Sequence, residues 1–265
     1  MDDTTFVSLA WLDAHRTAPD VRVVDVREPW EFDGIGHVPG AVNVPFERVR
    51  SAGGEDEGML PGAAAFAQVL GEVGVDSDDT IVAYDDTFGV FAARFVVTAL
   101  VYGHRRVHLL DGDFSAWNRA YAVTTEPTPT EQTRYDARPL PSDETPLIDR
   151  ADVAAALESD ALFVDTREAG EYAAGHLPGA VRFDWREVVD EDTRRLHPRA
   201  SISDLLTVYG ITPDRRIVLY CNTARRISHT YLVLRWLGYE DVAFYEGSLT
   251  EWLDEGGAVE TEDVI

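Results

Sequence analysis

The chain has 265 residues, of which 45% are hydrophobic, so it is long enough for one large α/β domain or two smaller domains with cores of their own. The formal net charge is −25, and a surface this acidic excludes nucleic acid as a general partner because it repels the phosphates. A single cysteine excludes an internal disulfide, and the Cys and His spacing offers no structural zinc site, so neither a metal nor a cofactor is expected.

The composition also bears on where the protein works. No run of about 18 apolar residues is present, which argues against a membrane partner, and the polar, acidic N-terminus is unlike a signal peptide. We therefore expect a soluble, cytoplasmic protein. All 23 basic residues are arginine, and this lysine-free, carboxylate-rich composition resembles that of proteins from extreme halophiles, which stay dispersed where salt screens charge.

Helix and strand patterns alternate along the first half of the chain. The predicted elements are, in chain order, a helix from the N-cap Ser8 to about His15, a strand at 21–26, a helix at 63–73, a strand at 80–84, a helix at 90–102 and a strand at 106–110. Strands that alternate with helices through short loops favour a parallel sheet with helices on both faces.

The second half repeats five landmarks of the first at offsets of 135 to 140 residues, which indicates a duplication. The paired segments are Asp25–Phe32 with Asp165–Tyr172, Gly36–Ala41 with Gly175–Ala180, Tyr84–Asp85 with Tyr220–Cys221, Gly103–His104 with Gly238–Tyr239, and Asp111–Trp117 with Glu246–Trp252. A proline-rich stretch without apolar periodicity lies between the copies. We therefore predict one domain at 1–123, an extended linker at 124–146 and a second domain at 147–265.

The only cysteine lies between two patterns of regular structure. An apolar strand pattern ends at Tyr220, Cys221 follows it, and a helical pattern runs from Arg225 to Leu237. A loop that opens a helix offers unpaired N–H groups and the positive end of the helix dipole, which stabilise an anion or a thiolate. A lone cysteine is more often a small buried hydrophobe, but this setting, and a twin loop with Asp85 in its place, favour a nucleophile.

Four motifs in order carry a family resemblance over nearly the whole chain. They are D-x-R-x-x-x-E-[FY] and G-H-x-P-G-A in both copies, a strand ending in cysteine in the second copy only, and [DE]-G-x-x-x-x-W in both. Together they resemble tandem-domain rhodanese-type sulfurtransferases, the family of thiosulfate and 3-mercaptopyruvate sulfurtransferases. The resemblance implies an α/β fold of two rhodanese-like domains, each a mostly parallel sheet flanked by helices, with an inactive first copy.

The resemblance also implies a reaction at Cys221. The thiolate takes a sulfane sulfur from a small anionic donor, thiosulfate or 3-mercaptopyruvate, and passes the resulting persulfide sulfur to a thiol, cyanide or a protein acceptor. The backbone amides predicted to stabilise that persulfide are those of Asn222, Thr223, Ala224, Arg225 and Arg226.

Three arginines are candidates for binding the donor's anionic group. Arg225 and Arg226 follow the cysteine and can hold it by charge-assisted hydrogen bonds, although they can equally pair with surface carboxylates. Arg167 matches an arginine that lines the site in some family members, yet its presence as Arg27 in the inactive copy favours an ion pair with Asp165 or a neighbouring carboxylate.

Other residues of the repeats are predicted to be structural. His37 and His176 lie in duplicated loops, His229 lies on a helix face, and Trp117 and Trp252 are predicted core aromatics.

The cysteine loop leaves the donor open. Its sequence C-N-T-A-R-R matches neither C-R-K-G-V-T of animal thiosulfate enzymes nor C-G-S-G-V-T of mercaptopyruvate enzymes, and Glu171 stands where those enzymes have arginine. Loops of the type C-x-T-x-x-R occur in microbial thiosulfate sulfurtransferases, which favours thiosulfate. A cysteine phosphatase would need Cys-x5-Arg, but Ile227 holds that position. A sulfur-carrying or binding module without fast thiosulfate turnover is the remaining alternative.

Overall fold

The computed structural model describes residues 5–51, 59–222 and 224–262, which fall into two compact units. The first unit runs to Glu144 and also includes Asp190–Leu196. The second comprises Thr145–Val189 and the residues from His197 onward. The domain bounds drawn from the sequence at 123 and 147 stay a prediction.

The first unit is built on a parallel sheet. Its elements are, in chain order, β1 (Phe6–Ser8), α1 (Leu9–His15), β2 (Val21–Asp25), α2 (Pro29–Gly34), β3 (Ala41–Asn43), a 3-10 turn (Phe46–Val49), α3 (Ala63–Glu72), β4 (Thr80–Tyr84), α4 (Val90–Val101), β5 (Val107–Asp111) and α5 (Phe114–Ala120). The described strands pair in the order β1-β5-β4-β2-β3, all parallel. Ser8 caps α1 as predicted, since its Oγ accepts the Trp11 N–H at 3.1 Å.

The second unit repeats this arrangement. From β6 onward the elements are, in chain order, β6 (Leu147–Ile148), α6 (Arg150–Leu157), β7 (Leu162–Asp165), α7 (Ala169–Ala174), β8 (Val181–Arg182), a 3-10 turn (Trp185–Val188), β9 (Val189–Asp190), β10 (Arg195–Leu196), α8 (Arg199–Val208), β11 (Ile217–Tyr220), α9 (Arg225–Trp236), β12 (Val242–Tyr245) and α10 (Ser248–Asp254). All of these belong to the second unit except the segment Asp190–Leu196, which ends β9, includes β10 and belongs to the first unit. The strands of the second unit's main sheet follow the order β6-β12-β11-β7-β8, again all parallel. The predicted α/β fold class is confirmed, and β4 and β11 hold equivalent central positions.

A buried ion pair explains why the D-x-R motif occurs in both copies. In the first unit the Arg27 guanidinium donates to Asp25 from Nε at 3.0 Å and from Nη2 at 2.6 Å, and the Tyr84 hydroxyl donates to the same carboxylate at 2.6 Å. Burying two charges is tolerated because each one is paired and hydrogen-bonded. The pair ties the end of β2 to the end of β4, next to the loop that follows β4.

The histidines and tryptophans of the repeats are buried, as predicted. His37 stacks on Phe32 with ring centroids 3.6 Å apart, and His176 stacks on Tyr172 at 3.8 Å. Trp117 and Trp252 belong to the cores of the first and the second unit, respectively. These side chains therefore stabilise the interior of each unit, which is a structural role.

The proline-rich stretch that follows the first copy packs along the first unit. The Thr133 N–H donates to the Gly71 carbonyl at 2.9 Å, and a Cβ on Gly71 would lie only 2.6 Å from the Thr133 oxygen. Tyr135 is buried, and its hydroxyl hydrogen-bonds His104 Nδ1 at 2.9 Å. This stretch is therefore hydrogen-bonded and packed against the first unit, unlike a flexible linker. No helix of the described residues is long and apolar enough to cross a membrane.

Candidate active site

Cys221 immediately follows β11 and begins the loop that leads into α9. The residue is 2% exposed and is a free thiol. Its N–H donates to Ser248 Oγ at 3.2 Å, and its carbonyl accepts the Leu249 N–H at 3.0 Å. The cysteine backbone is therefore fixed from the turn that follows β12, and this leaves the sulfur as the part of the residue available for chemistry.

The next residue, Asn222, joins the loop to two other elements. Its Nδ2 donates to Glu171 Oε1 at 2.7 Å, and its Oδ1 accepts from Arg167 Nη1 at 3.3 Å. Its carbonyl accepts the Thr250 hydroxyl at 2.9 Å. Thr223, one of the predicted amide donors, lies outside the described residues.

The end of the loop has a left-handed backbone. Ala224 has φ 59° and serves as the N-cap of α9, which begins at Arg225. Arg225 itself is half-buried.

Arg226 forms an ion pair with Glu171. Its Nη1 donates to Oε2 at 2.5 Å and its Nη2 to Oε1 at 3.1 Å. Burial acts to lower the pKa of Arg226, but the Glu171 carboxylate and the nearby Cys221 sulfur outweigh it and raise that pKa. Burial likewise acts to raise the pKa of Glu171, and the Arg226 hydrogen bond lowers it below its ordinary value. The sequence left open whether Arg226 faces the donor or pairs with a carboxylate. In the structure it pairs with the carboxylate of Glu171, close to the cysteine.

Arg167 is committed mainly to Asp165. Its Nε donates to Asp165 Oδ1 at 2.9 Å and its Nη2 to Oδ2 at 2.7 Å, while Nη2 also donates to the Gly175 carbonyl at 2.6 Å. Burial acts to lower the pKa of Arg167, yet the Asp165 carboxylate raises it above its ordinary value. Only Nη1 is directed at the cysteine loop, through Asn222. The predicted ion pair with Asp165 is present, and a direct role in donor binding stays a prediction.

Sequence reasoning missed the turn between β12 and α10 as a support for the site. Ser248, with φ 53°, accepts the Cys221 N–H and donates to the Tyr245 carbonyl at 2.9 Å. Thr250 binds the Asn222 carbonyl. Both residues lie inside the [DE]-G-x-x-x-x-W motif, so the repetition of that motif was the available signal, although only its tryptophan was interpreted.

The equivalent loop of the first copy holds a carboxylate where the second copy has the thiol. Asp85 is buried, and it accepts four backbone N–H groups, those of Thr87 and Gly89 at 2.8 Å, Phe91 at 2.7 Å and Ala92 at 3.0 Å. Burial raises the pKa of Asp85 to about 6 against the opposing effect of these donors. At neutral pH this loop therefore surrounds an anion with amides.

His229 lies one turn into α9 and is buried against Trp185, with the ring centroids 5.3 Å apart. Burial lowers the pKa of His229 to about 4. The imidazole is therefore neutral at physiological pH, which agrees with the predicted structural role on the helix face.

Comparison with known proteins identifies the architecture. The rhodanese-like domain family matches residues 8–120 and 149–255. This chain belongs to the rhodanese family. The tandem rhodanese is 36% identical over 246 residues to the thiosulfate sulfurtransferase of Pseudomonas aeruginosa, with 89% of each chain covered. It is 32% identical to the sulfur carrier protein TtuD of Thermus thermophilus, over 93% of this chain and 92% of that protein.

A solved structure shares the fold at greater sequence distance. The anaerobic ergothioneine biosynthesis enzyme of Chlorobium limicola, in complex with trimethyl histidine, aligns with a TM-score of 0.85 at 20% identity. The alignment covers 97% of this rhodanese and 70% of the other chain. The predicted family, fold class and sulfurtransferase class are confirmed by these comparisons.

Proposed function

We propose that this rhodanese transfers a sulfane sulfur from thiosulfate to a thiophilic acceptor through a persulfide on Cys221. The Cys221 thiolate attacks the outer sulfur of thiosulfate, the S–S bond of the donor breaks, and sulfite leaves with the bonding electrons. Cyanide or a thiolate then attacks the terminal persulfide sulfur and leaves as thiocyanate or as a new persulfide, while the electrons of the broken S–S bond restore the Cys221 thiolate. Neither step changes the number of protons on the protein, so no general base is needed.

The observation that carries the proposal is the cradle of four amides around Asp85. A carboxylate oxygen is the third atom from Cα, after Cβ and Cγ, and the terminal sulfur of a cysteine persulfide is likewise third, after Cβ and Sγ. Asp85 is therefore an internal analogue of the persulfide anion on the equivalent loop, which is one residue longer than the loop of Cys221.

The cradle around Asp85 indicates which second-copy amides stabilise the persulfide. Phe91 and Ala92 are the second and third residues of α4, and Arg226 and Ile227 hold those positions in α9. Gly89 is the N-cap of α4, as Ala224 is of α9. We infer that Ala224, Arg226 and Ile227 donate to the terminal sulfur, and that Ile227 extends the set predicted from the sequence.

We assign the donor's sulfonate to the arginine side of the loop. Arg226 is the supported candidate because its guanidinium lies near enough to the Cys221 sulfur for the two groups to interact electrostatically. A donor anion has to share this guanidinium with Glu171. Arg225 remains the second candidate, and Arg167 acts through Asn222 as a positioning residue.

Mass spectrometry of the intact protein tests the persulfide. Incubation with thiosulfate is expected to add one sulfur atom, which is lost on addition of cyanide or a reductant. The Cys221→Ser variant is expected to gain none. A wild-type protein that turns over thiosulfate without a sulfur adduct, or a Cys221→Ser variant that still forms thiocyanate, would contradict the mechanism.

One observation favours a second candidate, a sulfur carrier that takes its persulfide from a protein. Glu171 already neutralises Arg226, which weakens the attraction for a small dianion, and a relative in Thermus thermophilus is named a sulfur carrier protein. Single-turnover rates separate the two candidates. A faster exchange with a protein persulfide than with thiosulfate at equal concentration would assign the carrier role, and the same comparison with 3-mercaptopyruvate tests that donor.

We also infer that the protein works in a salt-rich, reducing cytoplasm. The net charge of −25 without lysine suits a medium in which salt screens repulsion, and the chemistry needs Cys221 as a free thiol. Sulfur transfer is therefore expected to persist at molar salt. Loss of activity on raising salt from low to molar concentration would contradict this inference.

A further inference from the structure

A cavity of about 170 Å³ lies in front of the Asp85 loop, within the first unit. We call it the first-copy cavity, and its wall includes Arg27, Glu28, Glu31, Phe46, Glu47 and Phe91. Phe46 and Phe91 meet edge to face, with ring centroids 4.9 Å apart, and form an apolar side. Carboxylates dominate the polar side.

One polar group at this cavity is buried without a partner. The Arg27 side chain is 3% exposed, and its Nε and Nη2 are taken by Asp25 and the Gly36 carbonyl. Arg27 Nη1 has no hydrogen-bond partner among the described residues. In the second copy the same atom, Arg167 Nη1, donates to the Asn222 side chain of the loop. By comparison with Arg167, we infer that Arg27 Nη1 points toward the loop that follows β4 and toward the cavity that Arg27 lines.

The residue equivalent to Asn222 is turned away in the first copy. The Asp86 carboxylate accepts the Ser115 N–H at 2.9 Å and the Ser115 hydroxyl at 3.0 Å. Arg194, which belongs to the same unit, also contacts Asp86, at 3.4 Å. Asp86 is therefore held by other partners, and Arg27 Nη1 lacks the oxygen that its twin has. A buried unsatisfied donor destabilises the protein, and an added acceptor removes that cost.

The acidic side of the cavity lacks the cation that the second copy supplies. Glu31 is the equivalent of Glu171, and each completes the capping box of its own short helix. Glu171 binds the Arg226 guanidinium, but the equivalent position in α4 is Phe91. Among the described residues no basic group lies within ion-pair distance of Glu31. The second copy thus has a guanidinium bound to Glu171 and an amide oxygen bound to Arg167. The described part of the first copy lacks both groups at Glu31 and Arg27.

We propose that the first-copy cavity binds a guanidinium compound that also carries a carboxylate or amide oxygen, with the guanidinium on Glu31 and the oxygen on Arg27 Nη1. This pairing satisfies both groups that the second copy satisfies internally. Phe91 and Phe46 cover the aliphatic part of the ligand. The same chemistry is offered by free arginine and by an arginine residue of a polypeptide. The site is independent of Cys221 and of sulfur transfer.

Calorimetric titration of the full chain tests the site with matched probes. L-Arginine has both groups, agmatine lacks the oxygen, and L-citrulline lacks the charge. We expect L-arginine to bind at one site, and both other compounds to bind at least about tenfold more weakly. A capped tripeptide with a central arginine is titrated in parallel. Tighter binding of the tripeptide would identify a polypeptide as the ligand, and tighter binding of L-arginine would identify the free amino acid. Absence of saturation by either below about 10 mM would overturn the proposal.

Three variants locate the binding. Glu31→Gln keeps the capping hydrogen bond and is expected to weaken L-arginine at least about tenfold, whereas Asp33→Asn, an equal charge change at an exposed position of the same helix, leaves it unchanged. Phe91→Arg supplies the missing guanidinium from the chain itself and is expected to abolish binding. Equal affinity in wild type and both cavity variants would place any bound arginine elsewhere. The Cys221→Ser variant is expected to bind as wild type does, which separates this result from the sulfur chemistry.

Discussion

Replacement of Glu171 by glutamine tests how the donor anion is bound. The Glu171 carboxylate binds the Arg226 guanidinium. A donor anion bound to the same guanidinium, as proposed, would place the two charges about 5 Å apart, which corresponds to a repulsion of about 3 kcal/mol at an effective dielectric constant near 20. Because the Glu171 side chain is 29% exposed and that of Arg226 is 20% exposed, we discount this by half for solvent screening. The remaining value of about 1.5 kcal/mol corresponds to roughly a tenfold lower KM for thiosulfate.

The assay is the initial rate of thiocyanate formation from thiosulfate and cyanide, at low salt and at about 1 M salt. We expect kcat of Glu171→Gln to stay within about twofold of wild type, and the gain in KM to shrink at high salt, where the Debye length is about 3 Å. Glu31→Gln is the matched control, since it removes the same charge from the equivalent capping box of the other copy. An unchanged or raised KM at low salt, in a variant with unchanged Tm, would show that Arg226 does not hold the donor.

Three further predictions follow from the two loops and from α9. Cys221→Ser is expected to abolish thiocyanate formation with little change in Tm, since the backbone contacts of this residue do not involve the sulfur. In that background, Asp85→Cys is expected to restore uptake of one sulfur atom from thiosulfate, seen by mass spectrometry; no uptake would show that the amide cradle alone cannot hold a persulfide. The pKa of His229 is lowered from 6.5 to about 4, so the unfolded chain binds the extra proton between these values and stability falls as the pH is lowered. About 2 kcal/mol is lost between pH 7 and pH 5, and urea titrations of His229→Leu are expected to lack this loss.

Local patterns predicted the central elements well. The strand predicted at 80–84 is β4, and the helix predicted at 90–102 is α4, one residue shorter. Both are nearly continuous apolar runs because they are buried, and such runs are assigned by their length and their flanking residues. The edge strands β3 and β8, with three and two residues, were not predicted because segments so short have no period to detect.

The position of the site followed from motif order, but its contacts did not. The cysteine after a central strand and before a helix predicts an anion site from local sequence alone. Glu171 and Arg226 are 55 residues apart, and nothing in either segment indicates that the one neutralises the other. The same holds for Ser248 and Cys221, which are 27 residues apart and meet only because β12 lies beside β11.

The first copy also supports the proposed role of Arg226. Asp85 accepts four N–H groups, yet burial still raises its pKa to about 6, so even a complete amide cradle does not offset the desolvation of a unit charge at this position. A sulfur anion on the equivalent loop also loses solvation, and an adjacent positive charge adds to the stabilisation that the amides provide. Arg226 supplies it, while Glu171 reduces it by pairing with the same guanidinium. In the proposed mechanism the balance between these two side chains acts together with the cradle, and it sets how strongly the loop stabilises sulfur as an anion and how readily it releases that sulfur to an acceptor.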